Sequence, residues 1–532
     1  MNLRTTAISV AIIVSVCRAS ADAPEGASLF EPFEMDELRT TWRNLANESV
    51  MFPLDMKEMP VKIGKVRQLF LDNYLIAESQ HLTRQVHRPK RYEGNPIVTP
   101  DGPREAMNRV VVAHVMQFTA APRFRMWYWS YPGWHKREND QQIRHGSSYA
   151  VSDDGMTWRK PDLDLHKIEG SELRNIVIPY GQMHGIFDEP DESDPQKRFK
   201  ALVLVEARRI RDGRLTREYT IPEGYYLHTS PDGIQWKGDL SRRIIPSLYR
   251  GYHISQNGIG DTTRFWWDPL QKKYIGDVKF VLPDMRSRGI MESDDLIHWS
   301  RPVPTFAARD DHNEIYGHRG FVYQGMYVGM RWVYVRGRTK AHSSNVELDC
   351  SRDGSHWTRV AAGQPFMDFN PNHDTWDGSK MKPVAMLEVG DEIWIYYNGM
   401  PTELELNNPE FPDTLHTKTS AGLAKLRRDR FVSINAGGKA GTLVTRPLTF
   451  RGKKLHVNCE VAGAGRLTVG VVTGGGQPIE GYTIESCRPL TGDGIDIPVA
   501  WHENTDLPNL AGSPFKLRFD LQNAKLYSFW IE

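Results

Sequence analysis

The chain has 532 residues, 67 Lys plus Arg against 66 Asp plus Glu, and 39% hydrophobic residues. That charge balance excludes the basic stripe of a nucleic-acid binder, and the hydrophobic fraction excludes wholesale disorder. The 15 Trp, 20 Tyr and 20 Phe beside 44 Gly and 33 Pro favour strands joined by short turns over helix bundles, so an all-β fold is expected.

The N-terminus reads as an export signal over residues 1–21. Arg4 opens it, Ala7 to Val16 is a short apolar run, and Ala19-Ser20-Ala21 fits small-residue cleavage. The run is about half a bilayer span, and no other stretch is long and apolar enough to span a membrane. The mature chain is therefore expected to be secreted or periplasmic. Residues 22–66 follow as a lead-in with short helical turns such as Met35 to Asn47. The early strand Gln68 to Asp72 and the segment 81–90 are candidates for completing the last unit of a closed repeat.

Two markers then alternate. The first is a turn followed by an aromatic-led strand, as in Arg123-Phe124-Arg125-Met126-Trp127-Tyr128. It recurs at Asp194 to Phe199, Asp268 to Tyr274, Gln324 to Tyr327 and Gly390 to Tyr397. The second is S-x-D-[GL]-x-x-W, at Ser152–Trp158, Ser230–Trp236, Ser293–Trp299 and Ser351–Trp357. A fifth, degenerate copy at Leu426 to Phe431 keeps the Asp and puts Phe where Trp stood. Physically this marker is a hairpin. Ser and Asp accept turn N–H groups, Gly supplies a left-handed residue, and Trp anchors the returning strand. Five alternations of a four-strand unit predict a five-bladed β-propeller over 67–435. Glu93 to Val98 and the stretch from Glu169 to Ile178 echo each other as blade connections would.

After Phe431 the texture changes. A Gly-rich link at Asn435 to Gly441 leads into period-two runs at Leu455 to Cys459, Arg466 to Val472 and Lys516 to Leu521, which predict a small β-sandwich over 440–532. Beyond Cys17 in the leader, Cys350, Cys459 and Cys487 are too few for a disulfide scaffold. Cys459 and Cys487 could pair if their strands are adjacent. No CxxC or HExxH spacing exists, so no zinc motif is visible and no cofactor is expected.

Innermost strands of a propeller converge on its axis, so residues at or before their starts share one funnel. An acid precedes each marked strand: Glu105 first, Asp188 after His184, Asp261, then Glu314 after His312, and Asp377 beside Trp376. Asp268, in an Asp-Pro turn like that of Asp194, reads as structural. The recurring histidines, His184, His253, His312 and His373, suit substrate contact and leave room for a structural cation on the axis.

These repeats resemble the five-bladed propeller glycoside hydrolases, the superfamily that includes families 32, 43, 68 and 117, whose blades often carry a Ser-x-Asp-x-x-x-Trp hairpin. The tail Arg427-Arg428-Asp429-Arg430-Phe431-Val432-Ser433 leading into Gly441 to Pro447 is also similar to secreted family-32-like proteins of marine and soil bacteria. The resemblance covers the propeller and the sandwich. It implies a base or nucleophile in the first blade, a Glu further round as general acid, and often an Asp that orients the acid. Here Glu105 stands in the first place and no Asn-Asp-Pro-Asn sequence exists. Trp267-Asp268-Pro269 is the nearest approach to an Arg-Asp-Pro triplet, which argues against a fructosidase.

On that footing the expected activity is cleavage of a glycosidic bond in an oligo- or polysaccharide. One protonated acid assists the leaving oxygen, and an ionised carboxylate attacks or activates water. Glu314 is assigned general acid, Asp188 base or nucleophile, and Asp261 orienting group. Glu105, His184, His312, Tyr316, Trp376 and Asp377 are assigned to sugar contacts. Two other readings share these residues: a carbohydrate-binding propeller without catalysis, and a glycoside phosphorylase with Arg309 and His312 at the phosphate.

Overall fold

The computed structural model describes residues 59–100, 110–130, 135–137, 141–143, 146–168, 171–211, 214–247, 259, 262–282, 285–306, 313–335, 343–361, 363–369, 375–401, 419–509 and 512–532. Among them the structure is all-β and propeller-like, with a 3-10 turn at Pro195–Lys197. The expected leader, the lead-in helix at 35–47, Glu169 and the acids and histidines at 105, 253, 261, 312 and 373 lie outside the described residues.

Antiparallel meanders follow one another in chain order. The first sheet joins Val111–Gln117, Phe124–Ser130, Gly146–Ser152 and Ile176–Ile178. The second is built on Gln182–Asp188, Phe199–Arg211 and Arg214–Ser230. The third joins Arg264–Asp268, Lys273–Leu282, Met285–Ser293 and Val303–Phe306. The fourth joins Asn313–Tyr323, Met326–Val335, Ser344–Ser351 and Trp357–Arg359. A single bridge from Ser344 to Lys380 links it to the fifth, made of Lys380–Val389, Glu392–Met400 and Ser420–Arg427.

Each sheet packs its faces against two neighbours, which is why whole strands are buried instead of alternate residues. Gly146–Ser152 is buried throughout, and Gln182–Asp188 nearly so. Trp127 and Tyr149 of the first sheet pack on Phe199, Val203 and Tyr226 of the second. Leu204 and Tyr225 of the second meet Phe265, Val278 and Met291 of the third. Val328, Trp332 and Leu348 of the fourth meet Met381, Ile393 and Tyr397 of the fifth. Val112, Phe124 and Tyr128 then meet Val384, Trp394 and Tyr396, so the first sheet packs on the fifth and the ring closes. Each such buried side chain contributes on the order of 1.5–3 kcal/mol.

The four S-x-D hairpins share one hydrogen-bond pattern. The Ser hydroxyl accepts from the backbone N–H three residues on, at 2.8 Å from Gly155 and 2.9 Å from Gly233, Leu296 and Gly354. The Asp carboxylate takes the next two N–H groups, as Asp154 does from Met156 and Thr157 at 2.8 and 2.7 Å. Each Trp indole donates to the carbonyl three residues back, Trp158 to Gly155 at 3.0 Å and Trp357 to Gly354 at 2.9 Å. Neighbouring sheets read the same carbonyls: Tyr396 donates to Gly155 at 2.9 Å and Trp127 to Gly233 at 2.7 Å. The hairpin is thus both a turn and a clamp between sheets. Leu296 takes the left-handed φ of 67° that glycine supplies in the other three copies.

The C-terminal strands form one bent sheet around two long partners, Leu455–Thr473 and Phe515–Ile531, with bulges near Cys459 and between Val461 and Arg466. N-terminal strands join it. Gln68–Leu69 pairs with Phe529 and Ser528, Ile76–Gln80 with Gly441–Thr445, and Thr83–Val86 with Val432–Ala436. Of the segments expected to complete the last unit, 68–69 and 83–86 join this C-terminal sheet, and the end of 81–90, at Lys90, does join the fifth sheet. Among the described residues Lys90–Arg91, on Lys425 and Ala424, continues the fifth sheet, followed by the Tyr92 N–H on the Leu423 carbonyl and the Val98 bridge to Ala421. Short strands of this kind carry no address of their own. Distant side chains decide, such as Arg352, which grips Asp72 with two 2.9 Å bonds. Cys459 and Cys487 are both free and buried, so the disulfide is not formed.

Candidate active site at the strand starts

The inner strands of the sheets, Val111–Gln117, Gln182–Asp188, Arg264–Asp268, Asn313–Tyr323 and Lys380–Val389, run side by side about the ring, with contacts from the first to the second and fifth, the second to the third, and the fourth to the fifth. Four of them carry a bulge just inside their start: between Val112 and His114, Met183 and Gly185, Ile315 and Gly317, and Pro383 and Ala385. A bulge adds a residue and re-aims side chains, and here it turns His184 and Tyr316 out of the ladder.

Glu314 begins its strand two residues before that bulge, directly opposite Tyr334, and is 1% exposed. Tyr316 lies 5.4 Å from the Tyr334 ring. Lysines from both flanking sheets meet these rings. Lys382 Nζ is 4.7 Å from the Tyr316 centroid, Lys279 Nζ is 5.7 Å from it, and Lys380 Nζ is 4.9 Å from that of Tyr334. Trp332 is 5.9 Å from the Lys382 ammonium on its other side. A buried carboxyl, the partly exposed ring of Tyr316 and ammonium groups from the two flanking sheets thus lie close together, a combination suited to binding a polar ligand.

His184 lies deeper. Its ring stacks on Trp129 at 4.6 Å, and its Nδ1 is 2.8 Å from the Thr263 carbonyl. It braces the second sheet against the third, as does Phe265 against Tyr225. Arg264 and Arg319 sit near His114, and burial, Arg264 and Arg319 together push its pKa down to about 3.

Behind the lysines runs a buried ionic chain between the third and fourth sheets. Arg288 donates to Asp277 at 2.7 Å, His318 Nδ1 meets the other Asp277 oxygen at 2.6 Å, and His318 Nε2 lies 3.6 Å from Asp349, which Arg331 clasps at 2.9 Å. Burial pushes the Asp277 carboxyl up, but Arg288 and His318 outweigh it and hold its pKa below the ordinary value. Asp277 and Lys279 are two residues apart on one strand, so this chain fixes the strand that presents Lys279. Sequence reasoning missed it. The signal was there, charged residues at alternate positions inside the strand Lys273–Leu282.

Other expected site residues lie elsewhere. Asp188 ends its strand beside Phe199, roughly 20 Å from the start at Gln182. It forms a two-point ion pair with Arg198 at 2.7 and 3.1 Å, at the end of the strand away from Glu314. Trp376 stacks on Tyr397 at 5.7 Å. Asp377 is 1% exposed and receives Tyr397 Oη at 2.8 Å, with Arg91 Nε at 3.0 Å. Asp377 thus anchors the closing strand Lys90–Arg91, while Trp376 packs on the fifth sheet through Tyr397. Glu105, Asp261 and His312 lie outside the described residues. Among the described residues no group of His, Cys, Asp and Glu is arranged to hold a metal ion, and no helix is long and apolar enough to cross a membrane.

No protein-family model and no curated protein matches the chain. Solved structures do. One titled a glycoside hydrolase matches at 14% identity over 64% of this chain and 92% of its own, with a TM-score of 0.44. A fructofuranosidase from Schwanniomyces occidentalis matches at 10% identity over 84% of this chain and 98% of its own, with a TM-score of 0.40. A β-1,2-mannobiose phosphorylase from Listeria innocua matches at 11% identity over 64% of this chain and 97% of its own, also with a TM-score of 0.40. Each is similar to this chain at low identity.

Proposed function

We propose that the chain is an exported carbohydrate-active enzyme that hydrolyses a glycosidic bond of an oligo- or polysaccharide. Its architecture in this reading is a five-bladed propeller, closed by Lys90–Arg91, on a β-sandwich built from both ends of the chain. The observation that carries the activity is Glu314, buried at an inner strand start among Tyr316, Tyr334 and lysines of the flanking sheets. Glu314 donates its proton to the leaving oxygen, and Tyr316 offers a ring face to the sugar. With Asp188 tied to Arg198, the second carboxylate comes from Glu105 or Asp261, on the segments that enter the first and third inner strands. The test is turnover of aryl glycosides and plant and algal polysaccharides by Glu314→Gln, Glu105→Gln and Asp261→Asn. Full hydrolysis by Glu314→Gln would overturn the reading.

Lys279, Lys380 and Lys382 favour a second reading, in which inorganic phosphate replaces water as the attacking group and the product is a sugar 1-phosphate. Phosphate-dependent cleavage with that product would select it, whereas rates unaffected by phosphate select hydrolysis.

A further inference from the structure

Away from Glu314, a concavity of about 560 Å³ lies where the strand Ser420–Arg427 of the fifth sheet meets the last strand, Phe515–Ile531. That volume is within the roughly 300–1,000 Å³ range of small-ligand sites. Six cations line it, Arg88, Lys90, Arg91, Lys425, Arg427 and Arg430, against the two carboxylates Glu93 and Glu392. Within the lining Lys90 pairs with Glu93 at 3.3 Å and Lys425 with Glu392 at 3.6 Å, and further acids outside it hold the arginines. Asp493 holds Arg427 at 2.6 Å and also grips Arg430, Asp377 holds Arg91 at 3.0 Å, and Asp368 holds Arg88 at 3.1 Å. They orient the guanidinium groups, and Arg430 is further held by Asn458 and the Cys459 carbonyl, so the donors left for a ligand are chiefly those of Arg88 and Arg427. Arg88 and Arg427 each spend one of five N–H donors on these acids. Tyr92 is half-buried, its ring 5.3 Å from Lys425 Nζ, and Arg430 lies 4.4 Å over the Tyr527 ring. His87 adds no charge at neutral pH, because burial and the nearby Lys525 push its pKa down to about 4.

Pre-oriented guanidinium forks beside aromatic rings are the chemistry that recognises carboxylate or sulfate groups on a ring-bearing ligand. We propose that this groove binds an anionic saccharide, a carboxylated or sulfated stretch of glycan. The anion follows from the cations, while the saccharide rests on the carbohydrate-active reading above. Arg427 pairs with Glu392 next to the end of the inner strand Lys380–Val389, the end opposite Glu314. A glycan held here is anchored and not cleaved.

The test uses the full chain carrying Glu314→Gln, titrated calorimetrically with oligogalacturonate, sulfated dextran, neutral dextran and duplex DNA. Binding of oligogalacturonate or sulfated dextran, with neutral dextran silent, is expected, and which of the two binds identifies the anion. Affinity should fall at least tenfold between low and 0.3 M salt, and as much in Arg88→Ala/Lys90→Ala, both exposed, without a change of melting temperature. Equal binding of neutral dextran or DNA, or unchanged affinity in the double variant, would overturn the proposal. Glycan binding by a chain whose unsubstituted form hydrolyses no glycoside would leave the groove standing and remove the hydrolase reading. Hydrolysis without groove binding would do the reverse.

Discussion

At the end of the ring where the inner strands stop, four hairpins repeat one set of hydrogen bonds, and even the aromatic donors that clamp them recur from sheet to sheet. At the end where those strands start, no two sheets present the same side chains. Val111, Gln182, Arg264, Glu314 and Lys380 stand near comparable points. Repetition therefore marks the end that holds the sheets together, and its absence marks the end free to acquire chemistry. Asp188 and Glu314 make the contrast concrete. Both are acids on inner strands, yet one pairs with an arginine beside a turn and the other is buried among rings and lysines.

The largest expected effect separates those two acids. Glu314→Gln should lower kcat by roughly 10²–10⁴-fold with the melting temperature unchanged, whereas Asp188→Asn should keep kcat within about twofold, as a surface ion pair is worth about 1 kcal/mol or less. Steady-state kinetics on one glycoside decides, and equal losses would erase the distinction. Next comes Asp277→Ala, which strands Arg288 and His318 inside the protein. A loss of about 3–5 kcal/mol in urea unfolding is expected, and a loss below about 1 kcal/mol would mean water reaches the network. At the hairpin end, Gly155→Ala forces an L-residue into a φ of 74° and sets its Cβ 2.7 Å from Tyr396 Oη. It should cost about 1–3 kcal/mol and leave kcat alone.

Acid sensitivity is spread over many groups and comes in two stages. Burial lowers the pKa of His87 and His228 to about 4 and of His114 to about 3. The folded state then binds fewer protons than the unfolded chain, so stability is whole above the ordinary histidine value and declines as pH falls from about 6.5 toward 4. The hairpin carboxylates add a second stage. Slight burial raises Asp154, but the N–H groups of Thr157 and Met156 bring it down to about 2, and Asp295 and Asp353 shift the same way. Their contribution is present above about pH 4 and fades toward pH 2. Melting temperatures recorded from pH 7 to 2 should show both declines, and a flat profile between 7 and 5 would contradict the first.

The hairpins were legible because all their determinants lie within seven residues: Ser, Asp, a left-handed residue and Trp at fixed offsets. Glu314 was legible for a weaker reason, its place just before a predicted strand. The place of Asp188 was not legible, because the sequence shows that it belongs to an inner strand but not at which end. That depends on where the strand begins, at Gln182, and on Arg198 across the turn. Trp376 and Asp377 look like a sugar-binding pair, yet their partners Arg91 and Tyr397 are distant or on another strand, and only pairing reveals Asp377 as an anchor. Asp277, His318 and Asp349 come from three strands of two sheets, so no local pattern joins them.

The path of the N-terminal stretch has a consequence for how the molecule is made. Residues 61–86 emerge early, but their strand partners, from Val432 for Val86 to Phe529 for Gln68, are synthesised hundreds of residues later. Loop closure of that length delays pairing until the chain is nearly complete, while Lys90–Arg91 waits for Ser420–Arg427 in the same way. Ring and tail are thus sewn shut by one continuous thread at the last step. A fragment ending near residue 436 should expose the unpaired edges of Gln68–Leu69 and Ile76–Gln80 and aggregate, so the propeller is expected to require the tail as a folding partner and not merely as an appendage.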